Sequence, residues 1–172
     1  MSVLSVPAQV LRRHAFTLLR LWHAVFAGGF LVAYLTADDD TYAMHQFAGY
    51  VVLAALVLRL LAGLLAPVGH PLRLPRPLLA DLRTWLARRR GRSPLFAWFA
   101  VALLAVVGTV AASGAVADYL PPVEHLHEAV AEASLWLIFA HIAFVTVIYS
   151  GRRLKTWVAG LLSRPSVPET RK

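Results

Sequence analysis

Four long apolar stretches constrain this chain more than any other feature of its sequence. They cover approximately residues 16–35, 47–65, 95–116 and 129–149 of a 172-residue chain in which 59% of the residues are hydrophobic. A helix of about 20 residues spans a hydrocarbon core of about 30 Å, because each residue adds about 1.5 Å. The sequence therefore predicts an all-α integral membrane protein, a bundle of four transmembrane helices.

The segments between the spans predict how the rest of the chain is organised. We expect a single membrane domain over residues 1–172, with helices at about 16–37, 45–66, 94–118 and 126–150. A basic loop, 67–93, and a basic tail, 151–172, complete the chain. Within the loop, Leu78, Leu82 and Trp85 share an apolar stripe with arginines opposite, which is typical of a helix lying on the membrane surface. Residues 152–162 show a similar pattern.

The charges predict the orientation of the spans. With four spans, all seventeen lysines and arginines fall on one side of the membrane. Because cytoplasmic segments are enriched in these residues, both termini and the basic loop are expected in the cytoplasm. Topology thus explains the net charge of +8, and nucleic-acid binding is not needed to account for it. Seven of the nine acidic residues lie at the opposite end of the spans: Asp38, Asp39, Asp40, Asp118, Glu124, Glu128 and Glu132.

Four of the seven histidines form two pairs at matched depths in the predicted spans. His127 and His141 are 14 residues apart, which places them about 21 Å apart along one face of the fourth span. His23 in the first span and His141 are both about 20 Å from the acidic end by helical rise. His45 and His127 both lie where their spans begin at that end. The third span offers no ligand and is expected to serve as a packing wall.

Histidine within a membrane span is costly and is treated as functional by default. The two pairs predict axial ligands for two stacked haems b, His23 with His141 for an inner iron and His45 with His127 for an outer iron. Polar contacts between helices are one alternative. Metal binding without haem is another, but pairs about 20 Å apart cannot form one tetrahedral site. The chain has no cysteine, which excludes iron–sulfur ligation and covalent haem attachment.

The other three histidines are expected at the surface. His14 is about 180° around the helix from His23, and His125 is about 160° from the face that carries His141. His70 lies among prolines in the basic loop.

Several residues near the histidine pairs are candidates for a supporting role. Gly49 follows His45 by one turn, and Gly28 and Gly29 follow His23. Small residues allow a flat cofactor to approach the backbone, although glycine is also common where membrane helices pack. Arg59 and Arg20 lie at the depth of the inner pair, where an arginine either binds a haem propionate or extends to lipid headgroups.

Five short motifs contain most of these residues: Arg20-Leu21-Trp22-His23, Met44-His45-Gln46-Phe47-Ala48-Gly49-Tyr50, Leu58-Arg59-Leu60, Leu126-His127-Glu128 and Phe139-Ala140-His141. In these motifs the chain resembles the bacterial cytochrome b561 family and, more loosely, the b-type cytochrome subunits of nickel–iron hydrogenases. The resemblance runs from the first span to the basic tail. It implies a four-helix cytochrome of the bacterial inner membrane with two haems b, bound by His23, His45, His127 and His141, that exchanges electrons with ubiquinone or menaquinone.

Three functions are compatible with this pattern. The first is electron transfer between a periplasmic redox partner and the quinone pool, because haem with two histidine ligands has no open position. The second is a quinone-linked enzyme, a superoxide oxidase, although carboxylates at the acidic end favour a cationic redox protein such as a c-type cytochrome over an anion. The third is a membrane anchor subunit of a larger oxidoreductase. The sequence leaves the oligomeric state open.

Overall fold

A computed structural model describes residues 8–88 and 93–162 of the chain. These residues form five α-helices and no strand. The helices are α1 (Ala8–Leu35), α2 (Tyr42–Leu65), α3 (Leu79–Arg88), α4 (Leu95–Ala117) and α5 (Glu124–Leu162). Short 3-10 turns at Asp39–Thr41 and Pro121–Val123 precede α2 and α5.

Four of the helices are long and apolar enough to cross a membrane, which confirms the predicted all-α fold with four spans. The spans lie in α1, α2, α4 and the part of α5 that ends at Ile148. Large apolar side chains on their surfaces are exposed, among them Phe47 at 72% and Leu64 at 71%. Such helices have no polar face to turn to water and require lipid around them. The cytoplasmic location of the termini stays a prediction.

The helix ends differ from the predicted ones mainly at the two extremes of the chain. Helix α1 begins at Ala8, eight residues before the expected start, and α5 continues to Leu162, beyond the expected end at 150. Both extensions contain arginine, leucine and alanine, which favour helix even where the chain is no longer apolar. The surface helix expected near Trp85 is α3. Residues 163–172 of the predicted tail and 89–92 of the predicted loop lie outside the described residues.

The chain divides into two compact units, residues 1–134 and 135–172. In the first unit, α1 packs on α2 and α2 packs on α4. Their shared core is small and consists of Phe26, Val52, Ala55, Leu56 and Val107. The second unit consists of the remainder of α5 within the described residues. The predicted single membrane domain stays a prediction.

The loop after α2 packs back on the end of that helix. Arg59 is 8% exposed, and its Nη1 donates to the carbonyl of Leu72 at 2.7 Å. The guanidinium also lies 5.8 Å from the ring centroid of Trp22, so α1, α2 and the loop meet at this arginine. A Cβ at Gly63 would lie 2.5 Å from Cγ of Leu74. Only glycine therefore permits this close approach of the loop to the helix.

Candidate functional site

His45 lies in the first turn of α2 and is held by the last turn of α1. Its Nδ1 is 2.7 Å from the carbonyl oxygen of Ala33. Helix α1 ends at Leu35, so this carbonyl is one of the last four in the helix, which have no regular partner within it. The end of one helix thus orients the imidazole at the beginning of the next.

His127 lies in the first turn of α5 and is held by α4. Its Nδ1 is 3.0 Å from the carbonyl oxygen of Val110 and 3.3 Å from Oγ of Ser113. Gly114 faces the ring directly, since a Cβ there would lie 2.9 Å from Cε1 and 3.2 Å from Nδ1 of His127. The third span therefore forms the wall against which this imidazole packs.

The two imidazole rings are neighbours in an edge-to-face arrangement. Their ring centroids are 6.1 Å apart and their planes meet at 75°. A carbonyl oxygen can only accept a hydrogen bond, so Nδ1 of each neutral ring carries the proton and Nε2 keeps its lone pair. A histidine that donates from one ring nitrogen to a backbone carbonyl and presents the other nitrogen is the usual arrangement of a metal ligand.

This spacing fits a metal ion bound between the two rings. Metal–nitrogen bonds of about 2 Å on each side, plus the radii of two five-membered rings, give a centroid separation of about 6 Å. Among the described residues, no group of three or more His, Asp or Glu side chains is arranged to hold a metal ion. The pair would thus supply two ligands, as in a haem whose remaining four come from the porphyrin.

A cavity of about 680 Å³ surrounds the pair, within the range of about 300–1,000 Å³ that is typical of ligand sites. We call it the histidine cavity. Phe30, Val52 and Val107 provide apolar walls. Gly49 also lines it, and a Cβ there would meet no atom within 4 Å. The space beside Gly49 is therefore open, and its role in binding a flat cofactor beside His45 stays a prediction.

Three polar side chains, Tyr42, Tyr50 and Asp118, form a hydrogen-bonded cluster at the rim of the histidine cavity. We call it the rim cluster. Asp118, the residue after α4, accepts hydrogen bonds from the hydroxyls of Tyr42 at 3.1 Å and Tyr50 at 2.7 Å. The bond from Tyr50 is the main reason that the pKa of Asp118 lies below its usual value, and bonds from Gln46 and Tyr42 contribute. These outweigh the opposing effect of desolvation. The cluster ties the first three turns of α2 to the end of α4.

The residues of the predicted inner pair lie in different units. His23 is exposed on α1, and its ring centroid is 6.4 Å from that of Trp22. The Trp22 indole N–H donates to the carbonyl of Ala55 at 2.7 Å, which fixes this part of α1 on α2. His141 is half-buried on α5 in the second unit. The pairing of His23 with His141 stays a prediction.

The supporting residues differ in their surroundings. Arg20 and Gly28 are exposed on α1, and a Cβ at Gly28 would meet no atom within 4 Å. Gly29 instead faces α2, where a Cβ would lie 3.1 Å from Cγ2 of Val52, so it allows α1 and α2 to pack closely. Arg59 binds the carbonyl of Leu72, which is neither of the two roles considered for it from the sequence. A haem-binding role of Arg20 or Arg59 stays a prediction.

The three histidines expected at the surface lie away from the histidine cavity. His14 is exposed on α1. His125 has a side chain that is 92% exposed and lies 3.7 Å from the carboxylate of Glu128. His70 is half-buried in the loop after α2, where its Nδ1 accepts from the backbone N–H of Leu72.

Sequence reasoning did not identify the residues that orient the ligands or the rim cluster. Ser113 and Gly114 sit in a run of small residues, Ala111–Ala115, which signals close packing but not which ring packs there. The sequence contains only a weak indication of the rim cluster. Tyr42 and Tyr50 flank His45 in the sequence, and Asp118 ends an apolar span, but their contact depends on how α2 and α4 align.

One of three comparisons with known proteins found a match. The model of the family described as prokaryotic cytochrome b561 matches residues 15–159, which include all four predicted ligands. A search of curated proteins and a search of solved structures each returned no match. The family match covers most of the chain and extends over all four spans. The chain therefore belongs to the prokaryotic cytochrome b561 family, whose members carry b-type haem in the membrane and transfer electrons.

Proposed function

We propose that this protein is a di-haem b cytochrome of the bacterial inner membrane that transfers electrons between a periplasmic redox partner and the quinone pool. The observation that carries the proposal is the close pair of His45 and His127 in the histidine cavity. Their ring centroids are 6.1 Å apart, and both δ-nitrogens are hydrogen-bonded to backbone carbonyls. This arrangement supports the outer haem. The inner haem, on His23 and His141, is proposed from the sequence pattern and the family membership.

The protein's contribution at the outer site is to orient two ligands and to exclude competing chemistry. When bound, haem supplies a one-electron carrier whose iron, with two histidine ligands, has no open position for oxygen. The carbonyls of Ala33 and Val110 hold the proton of each neutral ring on Nδ1, so that Nε2 is the nitrogen left to bind iron. Donation to a carbonyl also raises the basicity of each ligand, which favours the oxidised iron.

The charge around the histidine cavity supports a cationic partner. Asp118, Glu124, Glu128 and Glu132 line the cavity, and no lysine or arginine occurs between Arg20 and Arg59 or between Arg92 and Arg152. The negative electrostatic potential of these carboxylates attracts a cationic protein and repels superoxide. We therefore favour a basic redox protein, such as a c-type cytochrome, over the superoxide oxidase alternative.

The haem count tests the central claim. Purified protein is expected to show reduced b-type absorption bands and about two haems per chain. His45→Ala and His127→Ala should each remove the same haem, whereas His125→Ala, a matched change two residues from a ligand, should retain both. A wild-type chain that binds one haem or none, or a His127→Ala variant with the full complement, would contradict the proposal.

The partner requires a separate measurement. Electron transfer with a cationic c-type cytochrome should slow as salt is raised, because screening removes long-range attraction. Glu124→Gln is expected to reduce the second-order rate severalfold, while Asp81→Asn, a matched change in α3, should not. Fast superoxide consumption that is insensitive to salt would instead support the oxidase. Co-purification with a larger oxidoreductase would favour the anchor subunit.

A further inference from the structure

A second cavity lies in the first unit at the end of the spans opposite the acidic residues. It has a volume of about 1040 Å³ and is formed by α3, the start of α4 and the segments that precede them. We call it the arginine cavity because Arg76 and Arg88 line it. None of the predicted haem ligands contributes to it, so haem binding does not explain it.

The two helices present different chemistry to the arginine cavity. Helix α3 contributes Asp81, Thr84, Trp85 and Arg88, which at spacings of three, four and seven residues form one face of the helix. Helix α4 contributes Phe96, Ala97 and Ala100, which belong to the apolar span Leu95–Ala117. One wall is therefore polar with an indole ring, and the other is a transmembrane surface.

The charged groups on the polar wall are two arginines and one carboxylate. Neither Arg76 nor Arg88 forms an ion pair within the part of the chain that the structure describes. The net charge of the lining is thus +1. Arginine binds phosphate oxygens through two parallel hydrogen bonds, so two unpaired arginines at one cavity match a phosphodiester.

The exposed leucines of α3 indicate that the cavity opens at the membrane surface. Leu79 and Leu86, on the side of α3 away from the cavity, are 61% and 53% exposed. Exposed leucines on an amphipathic helix beside a membrane span are expected to lie in the lipid interface. A molecule that contacts both the arginines and the α4 wall must then have an anionic head and an apolar tail.

We propose that the arginine cavity is a specific binding site for an anionic glycerophospholipid of the phosphatidylglycerol type. Its phosphate contacts Arg76 and Arg88, and an acyl chain lies along Phe96, Ala97 and Ala100. The carboxylate of Asp81 accepts hydrogen bonds from the headgroup hydroxyls. The lipid's charge of −1 neutralises the lining. Basic pockets beside transmembrane helices are a recurring form of lipid recognition. The proposal is independent of haem binding.

The test measures lipid binding to the full chain by native mass spectrometry. Protein purified in detergent is titrated with phosphatidylglycerol, phosphatidylethanolamine or phosphatidylcholine of matched chains. One phosphatidylglycerol per chain should bind more tightly than either other lipid. Arg76→Gln with Arg88→Gln should weaken it about 30-fold, given the contribution of each arginine near a membrane surface. The matched control, Arg12→Gln with Arg13→Gln, removes two exposed arginines of α1 and should leave binding unchanged.

A second variant tests the apolar wall. Ala100→Trp fills part of the cavity without changing charge and should weaken binding about tenfold or more, because acyl methylenes lose their contact. Helical content by circular dichroism checks that each variant is folded. Equal weakening in the Arg12 and Arg13 control would show diffuse surface charge and overturn the proposal. Tighter binding of phosphatidylethanolamine, or no effect of Ala100→Trp, would overturn it as well.

Discussion

The contact between Gly114 and His127 makes a sharp prediction about the outer haem site. In Gly114→Ala, the new methyl carbon would lie 2.9 Å from Cε1 of His127, whereas ordinary contact begins at 3.4 Å. The imidazole must therefore move by about 0.5 Å. Moving away from α4 lengthens the bond from Nδ1 to the carbonyl of Val110 from 3.0 Å to about 3.5 Å, beyond hydrogen-bonding range.

Loss of such an orienting bond typically costs about 10–100-fold in metal affinity, and we expect that loss for the haem bound by His127. The fold itself should not suffer, because alanine favours a helix over glycine by about 1 kcal/mol. Transfer of haem to excess apomyoglobin measures the affinity, and a redox titration reports whether the potential of that haem shifts. These two measurements distinguish a loss of haem affinity from unfolding of the protein.

Gly108→Ala is the matched control on the same helix. Its methyl carbon would lie 3.1 Å from Cδ2 of Leu56, the flexible end of a side chain that can move aside. We expect haem retention and potential as in the wild type. If Gly114→Ala retained the haem as well as Gly108→Ala does, the inferred packing of α4 against His127 would be wrong.

The remaining predictions concern the rim cluster and the buried arginine. Tyr50→Phe removes the 2.7 Å bond that most lowers the pKa of Asp118, so the carboxylate should titrate closer to its ordinary value of 3.8. Because the pKa is depressed in the folded protein, the stabilisation is complete above about pH 4 and is lost as the pH falls through the folded pKa. Infrared titration of the carboxylate band should show a higher midpoint in Tyr50→Phe, and an unchanged midpoint would contradict the assignment. Arg59→Gln leaves the carbonyl of Leu72 without its donor and should lower the free energy of unfolding by about 1–3 kcal/mol. Arg20→Gln, the exposed control on α1, should change it by less than about 0.5 kcal/mol, and equal thermal stability of the two variants in detergent would refute a structural role for Arg59.

Much of the fold could be predicted because each span is a local property of the sequence. In lipid a long apolar segment must satisfy its own backbone hydrogen bonds, and only a helix does so within one segment. The helix ends were less predictable. Arginine and alanine extend a helix as readily as leucine does. Hydropathy therefore predicted that the fourth span ends at about residue 150, whereas α5 continues to Leu162.

For some residues of the candidate site the sequence predicts the position, and for others it leaves the role open. Depth along a helix follows from counting residues, and counting brought His45 and His127 to the same level. The role of Gly29 was not decidable in that way, because cofactor approach and helix packing both favour glycine. Only the 3.1 Å distance from its Cβ position to Val52 shows that packing applies.

The sequence by itself determined the number of spans, the segregation of charge and the depth of each histidine, since all three follow from composition and from the rise of a helix. The tertiary structure alone decided which groups orient the ligands. The carbonyls of Ala33 and Val110, and the hydroxyls that reach Asp118, belong to other helices than the groups they bind. Such contacts depend on how the packed helices are rotated and aligned relative to one another. Counting residues along a single helix cannot predict this.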